Sequence, residues 1–439
     1  MATLQATAFD MPARQSMAKA VLAGSIGNTL EWFDYGLYAV FAPVLSAQFF
    51  PSKDPLTSLM LTFVVFGVGF VMRPLGGLIF GHIADKHGRR AALTFTVVLI
   101  GASTFAIGCL PTFAAIGLAA PVLLAACRLL QGVATGGEFG SCMSFLAEYG
   151  TPYNRAYILS WSNWSVALGL LMGTAFGTVL SAALSQETLF AWGWRIPFLT
   201  GLLIALYGVY IRRGVDETPV YVKAEAEKRL TGQVSTRLPV VEMFASHPRE
   251  TWMTIGMVSG GTITYWTTMA YLPTYITAVL KYPLVVGLSY GTFVLLIYML
   301  AVPFAGILCD RIGRRPTMLI AYGSIVVLIW PMFYLLTAVK TPLVLFPVLV
   351  VVAIIPALFL AGQTAWLTEA FPTSVRGSAC GVGYNIGVAI FGGSTPFMAT
   401  WLISMTHDNM SPTYYMMLGG LVSTLIVYFF VRETNRREL

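Results

Sequence analysis

The sequence predicts an all-α membrane protein: twelve transmembrane helices in two six-helix bundles, with both termini on the cytoplasmic side. Three observations carry that prediction. The first is composition. Of 439 residues, 57% are apolar and only 10% are charged, and mean hydropathy is +0.75. Soluble domains hold about 45–50% apolar and about 25% charged residues, so this chain lacks the charge to cover a water-facing surface. One bilayer span takes about 20 apolar residues, and the chain's apolar residues, about 250, supply roughly twelve spans. The second is the form of the apolar runs, which are long and continuous where the strands of a β-barrel would be short and alternating. The third is an internal repeat, set out below. The same composition excludes a disordered chain and a disulfide-stapled secreted module.

Polar punctuation divides the runs into helices at 20–46, 56–83, 91–113, 117–148, 156–184 and 190–211. The first carries Glu31 and Asp34 and is too long for a cleavable signal segment. A polar linker, 212–250, follows, and then helices at 251–279, 285–308, 316–338, 342–369, 376–403 and 411–432. Internal Gly and Pro are tolerated because neighbouring helices repair the backbone. The domains expected are an N-terminal bundle over 1–211, a cytoplasmic linker over 212–250 and a C-terminal bundle over 251–439.

Charge sets the orientation. Of 26 Lys and Arg residues, Lys53, Lys281 and Lys340 fall in outer loops, and Arg73, Arg128 and Arg195 fall within or at the edge of spans. The remaining twenty lie on one side, which the positive-inside rule makes the cytoplasm. The net charge of +7 therefore reports topology and implies no nucleic-acid partner. The five cysteines show no CxxC or metal-ligand spacing, so neither disulfide nor metal is expected.

The repeat is G-x-x-x-D-x-x-G-R-R. Gly81, Asp85, Gly88, Arg89 and Arg90 recur as Gly306, Asp310, Gly313, Arg314 and Arg315, in the loop after the second helix of each half. A second pair agrees: Glu148 and Arg155 after helix four, Glu369 and Arg376 after helix ten. Two matches at nearly one offset indicate a parallel duplication.

These residues resemble the major facilitator superfamily. The doubled loop motif is its cytoplasmic signature, and Arg128-Leu-Leu-Gln131-Gly132 is similar to its fourth-helix R-x-x-Q-G. More narrowly, LEWFDY at 30–35, Gly136-Gly137-Glu138, GWRIPF at 193–198 and RRGVDETP at 212–219 resemble the metabolite:proton symporter family. Ser58-Leu-Met-Leu-Thr-Phe and IFGGSTP at 390–396 are similar to its tricarboxylate and dicarboxylate members, whereas Gly137-Glu138-Phe139 is closer to the general family form. The resemblance implies the major facilitator fold and a multi-pass monomer in the cell inner membrane. It also implies a proton-coupled symporter importing a small organic carboxylate, such as a di- or tricarboxylate or a 2-oxo acid. The alternatives are an osmolyte (betaine or proline) or shikimate-type symporter, and a drug or metabolite proton antiporter. The osmosensing members carry a C-terminal coiled coil; no heptads follow Arg432, so osmosensing is not expected. No nucleophile–base set or phosphate loop points to an enzyme. No cofactor is implied beyond the proton as coupling ion.

A charge at the bilayer centre costs roughly 3 kcal/mol or more, so ionisable residues within spans default to function. Five lie away from span ends: Glu31, Asp34, Arg73, Arg128 and Glu138, all in the N-terminal half. At 1.5 Å per residue, Glu31 lies about 16 Å and Asp34 about 21 Å from the inner face, and Arg128 about 14 Å from the outer face. An acid beside an arginine in low dielectric suits coupling of a proton to an anion. Asp34 is the favoured proton carrier, with Glu31 second, and Arg128 takes the substrate carboxylate. Asn28, Tyr35 and Gln131 share their helix faces, and Tyr265, Trp266, Thr267 and Asn385 come to similar depth from helices seven and eleven. Arg73 and Glu138 fall nearer the cytoplasm, where they suit an ion pair. Asp85 and Asp310 are expected to latch the cytoplasmic side near Arg376 and Arg155. The competing reading for each of these groups is a purely structural one.

Overall fold

The computed structural model describes residues 17–77, 79–80, 89–136, 143, 146–147, 150–213, 244–339, 342–371 and 382–437. All regular structure among the described residues is helical. The N-terminal half contains α1 (Met17–Val40), α2 (Pro55–Gly77), α3 (Arg89–Cys109), α4 (Ala119–Thr135), α5 (Arg155–Ala183) and α6 (Gly201–Arg213). The C-terminal half contains α7 (Pro248–Trp266), α8 (Leu284–Ile312), α9 (Arg314–Ala338), α10 (Pro342–Ala370), α11 (Tyr384–Thr406) and α12 (Ser411–Phe429). Seven described helices are long and apolar enough by themselves to cross a membrane: α2, α5 and α8 to α12. The others are shorter, or diluted by the polar groups described below.

Local chemistry explains where the helices depart from simple runs. The first run breaks at Phe41 and resumes as Ala42–Phe49, because Pro43 has no N–H to continue the ladder. The sixth run is assembled from Gln186–Thr188, a π-turn over Leu189–Gly193 and Arg195–Leu199, leading into α6. Arg195 Nη1 donates to the carbonyls of Gly108 and Leu110 at 2.8 and 2.6 Å, satisfying acceptors that the end of α3 leaves open. α7 continues into π-helical turns over Thr267–Tyr271 and Tyr275–Val279, and α11 widens the same way over Val388–Gly392. Such widened turns cluster at functional sites.

The halves meet along α5 with α8 and α10, and along α2 with α11. Within the N-terminal half, α1 lies on α5, and α2 crosses α4 at very close range. A Cβ at Gly132 would overlap the carbonyl of Gly69 across that crossing. This is the steric reason the R-x-x-Q-G motif ends in glycine.

Candidate functional site

α1 supplies the buried carboxylates. Glu31 and Asp34 lie three residues apart, so they share one side of the helix, and both are buried. Asp34 Oδ1 accepts from the Thr104 hydroxyl of α3 and from Gln131 Nε2 of α4, each at 2.6 Å. Its Oδ2 accepts from Arg128 Nη1 at 3.0 Å. The same nitrogen donates to Gln131 Oε1 at 2.8 Å, which the i,i+3 spacing on α4 allows. The Arg128 guanidinium also lies 4.7 Å from the Tyr35 ring and 4.6 Å from the Tyr38 ring, so aromatic faces take the place of water around the cation.

Glu31 pairs with Arg73 at 2.7 Å. The sequence reading placed Arg73 in a cytoplasmic layer with Glu138. The contact of Arg73 with Glu31 has a geometric cause. Helical side chains lean toward the N-terminus of their helix, and on α2 that direction leads from the cytoplasmic end toward the midplane. Arg73 therefore reaches Glu31's level. Glu138 lies outside the described residues. The Arg73 guanidinium is 5.3 Å from the Trp32 ring and 5.0 Å from the Tyr35 ring. Its Nη1 comes within 3.5 Å of Asn385 Oδ1 on α11. Tyr35 thus touches both arginines, and Arg73 touches both halves.

Beside this cluster, between the halves, lies a cavity of about 20 Å³, room for about one water. Its wall takes Trp32, Asn163 and Val166 from the N-terminal half; Thr262, Tyr265, Trp266, Tyr298, Phe359, Leu360, Tyr384 and Val388 come from the C-terminal half. Six of these side chains are aromatic and none is charged. Trp32 and Trp266 stack across the halves, with centroids 5.6 Å apart and planes at 24°.

Of the residues expected to contact substrate, Tyr265 and Trp266 line this wall. Asn28 stands behind it: its Oδ1 accepts from Trp32 Nε1 at 3.1 Å, and its Nδ2 donates to Ser162 O and Ser165 Oγ. Tyr35, Gln131 and Arg128 belong to the charged cluster, Thr267 donates back to Ile263 O of its own helix, and Asn385 meets Arg73. Sequence reasoning assigned no site role to Trp32, Thr104, Asn163, Tyr298 or Tyr384. The signal that finds Asn163 is a lone amide in the middle of an apolar span, a weaker mark than a charge.

The cytoplasmic face is tied across the halves. Asp310 accepts from the backbone N–H groups of Ala156 and Tyr157 at 3.0 and 2.9 Å, a carboxylate seated on the N-terminus of α5. Arg314 Nη1 meets Asp310 at 2.9 Å. Arg155 pairs with Glu369 at 2.9 Å, and Arg314 adds a second bond to the same carboxylate oxygen at 2.8 Å. Gly313 turns the chain there with φ 103°, and Glu433 accepts from the N–H groups of Arg314 and Arg315. Gly81, Asp85, Gly88 and Arg376 lie outside the described residues, as do the side chains of Arg89 and Arg90. On the opposite side, the hydroxyls of Thr178 on α5 and Thr292 on α8 meet at 3.0 Å. The halves are thus hydrogen-bonded to each other on both sides of the cavity.

A duplicated twelve-helix bundle with a central cavity between its halves, charged groups buried beside it and ties at each face, is a membrane transporter of the major facilitator superfamily. It is a multi-pass transporter and not an enzyme. The chain belongs to the sugar (and other) transporter family, whose model matches residues 20–439. It is 34% identical over 431 residues to a proline/betaine transporter of Salmonella typhimurium, covering 96% of this chain and 85% of that one. A glycine betaine/proline/ectoine/pipecolic acid transporter of Dickeya dadantii is 32% identical with the same coverage. The crystal structure of a D-xylose-proton symporter superposes with a TM-score of 0.74 at 18% identity, covering 97% of this chain and 100% of that one. That likeness shows the fold.

Proposed function

We propose that the chain is a proton-coupled importer of small zwitterionic osmolytes of the proline and betaine kind, working by alternating access in a bacterial inner membrane. The observation that carries this reading is the uncharged aromatic wall of the cavity. An ammonium group is attracted to ring faces, whereas a di- or tricarboxylate needs cations facing it. The nearby cations, Arg73 and Arg128, are each already neutralised by Glu31 and Asp34, so no positive charge is left over for a polyanion. The carboxylate expectation therefore gives way to its osmolyte alternative, which the names of the relatives also support.

In this mechanism Asp34 carries the proton. Protonating it removes the counter-ion of Arg128. Tyr35, against both guanidiniums, passes the change to Arg73 and Trp32 at the cavity. The bundles 1–211 and 251–439 then rock about the 212–250 linker, opening one face while the other stays tied. Each acid is held either by a proton or by an arginine, so no unpaired carboxylate crosses the barrier, and the proton's positive charge, left on Arg128, crosses with the substrate.

The test is uptake of labelled L-proline, glycine betaine and citrate in cells stripped of their own carriers, with and without a protonophore. Proline or betaine should accumulate and the protonophore should abolish it. Citrate uptake without either zwitterion would overturn the proposal.

A further inference from the structure

The cavity wall carries buried donors that the described residues do not fully satisfy. Asn163, on α5, is 2% exposed, and its Nδ2 has no hydrogen-bond partner among the described residues. Tyr265 and Tyr298 stand in the same wall with ring centroids 5.7 Å apart at 72°. Among the described residues the two hydroxyls have only each other for partners. A buried donor left unmade costs about 1–3 kcal/mol. A free amide N–H on Asn163 and the one hydroxyl hydrogen that the tyrosine pair has to spare are a standing cost on one small cavity, unless a ligand that accepts without donating takes them up. An ionised carboxylate is that kind of group: two oxygens, about four lone-pair sites and no proton to give.

The other partner of a zwitterion is provided for as well. Trp32 and Trp266 both line the cavity, stacked on each other across the halves, and Trp32 is held in orientation by Asn28. An ammonium over an indole face is stabilised without any carboxylate in the wall. The two arginines are excluded as first contacts by position: neither lines the cavity, and each is bound to an acid.

We propose that Asn163, with the hydroxyls of Tyr265 and Tyr298, is the subsite for the substrate's carboxylate, and that the Trp32 and Trp266 faces receive its ammonium. Specificity for a zwitterion then rests on neutral donors and ring faces, and the buried arginines stay with the proton machinery. The assignment rests on the osmolyte reading above and names the residues that perform it.

The test uses the full-length chain, purified and monodisperse, with glycine betaine as the probe. Choline is the competitor, carrying the same trimethylammonium group without a carboxylate. Wild type should bind betaine more tightly than choline. Asn163→Leu should lose about tenfold or more in betaine affinity while choline affinity stays within about twofold, which also reports an intact fold. Asn163→Asp, which places a negative charge where the carboxylate sits, should reverse the order and favour choline. Betaine affinity unchanged in Asn163→Leu overturns the subsite, as does an equal loss of both ligands. Wild type that binds neither ligand removes the osmolyte reading itself and the subsite with it, an outcome distinct from a failure confined to the variants.

Discussion

Glu31 and Asp34 share a helix face but hold different company. Asp34 receives three donors, from Thr104, Gln131 and Arg128, and sits apart from the cavity wall. Glu31 is bound to an arginine that also touches the cavity tryptophan and the opposite half. A proton site needs insulation from substrate, and Asp34 has it. In Asp34→Asn proteoliposomes, substrate should equilibrate to an inside-to-outside ratio near one under an imposed proton gradient, while exchange of internal for external substrate continues. Accumulation by that variant would move the coupling role to Glu31. At this scale the sequence was partly legible. Depth counting brought Glu31, Asp34 and Arg128 to one level because all three lie on straight stretches of helix, and i,i+3 spacing added Gln131. Depth counting did not foresee the Arg73–Glu31 pair because rise per residue ignores the lean of a long side chain. It passed over Asn163 because an amide in an apolar run looks like ordinary packing polarity.

Helix ends carry the next level of control. The repeat made the G-x-x-x-D-x-x-G-R-R loop legible as a device, and Asp310 does sit on the first turn of α5. The hub of the latch was harder to read. Glu369 gathers Arg155, Arg314 and the Thr434 hydroxyl, residues far apart in sequence that only the assembled halves bring together. Breaking a buried pair from one side costs about 3–5 kcal/mol. Glu369→Gln should therefore raise labelling of single cysteines on the cytoplasmic side of the cavity and lower it on the outer side; labelling unchanged on both faces would show that the network only fixes topology. Asp54, at the other end of the N-terminal half, caps α2. It accepts from the Thr57 hydroxyl at 2.7 Å and from the Leu56 and Thr57 amides at 3.1 Å, and the Thr57 hydroxyl leads in holding its carboxyl below the usual value. A depressed carboxylate contributes its stability above its ordinary pKa, and the contribution fades as pH falls through the lowered one. Asp54→Ala should cost about 1 kcal/mol at neutral pH. Thermal unfolding should show the gap from wild type closing below about pH 4. The widened turns after Trp266 were not legible, since nothing in Thr267–Tyr271 marks it off from an ordinary helical run.

The charge balance of the whole molecule sets how transport responds to voltage. Two acids and two arginines are buried beside the cavity, and the wall itself is neutral. The empty carrier therefore crosses its conformational cycle without net charge in this region. A zwitterion adds none. One proton on Asp34 adds a single positive charge to the loaded carrier, so import should be electrogenic and driven by an inside-negative potential. One charge moved through 100 mV is worth about 2.3 kcal/mol, equivalent to about a fiftyfold gain in accumulation. A dicarboxylate with two protons would be indifferent to the same potential, and with one proton would be opposed by it. Potassium diffusion potentials imposed with valinomycin on proteoliposomes, at equal pH on both sides, separate these cases. Betaine or proline uptake should rise steeply as the interior is made negative, and uptake indifferent to the potential would rule out a one-proton zwitterion cycle.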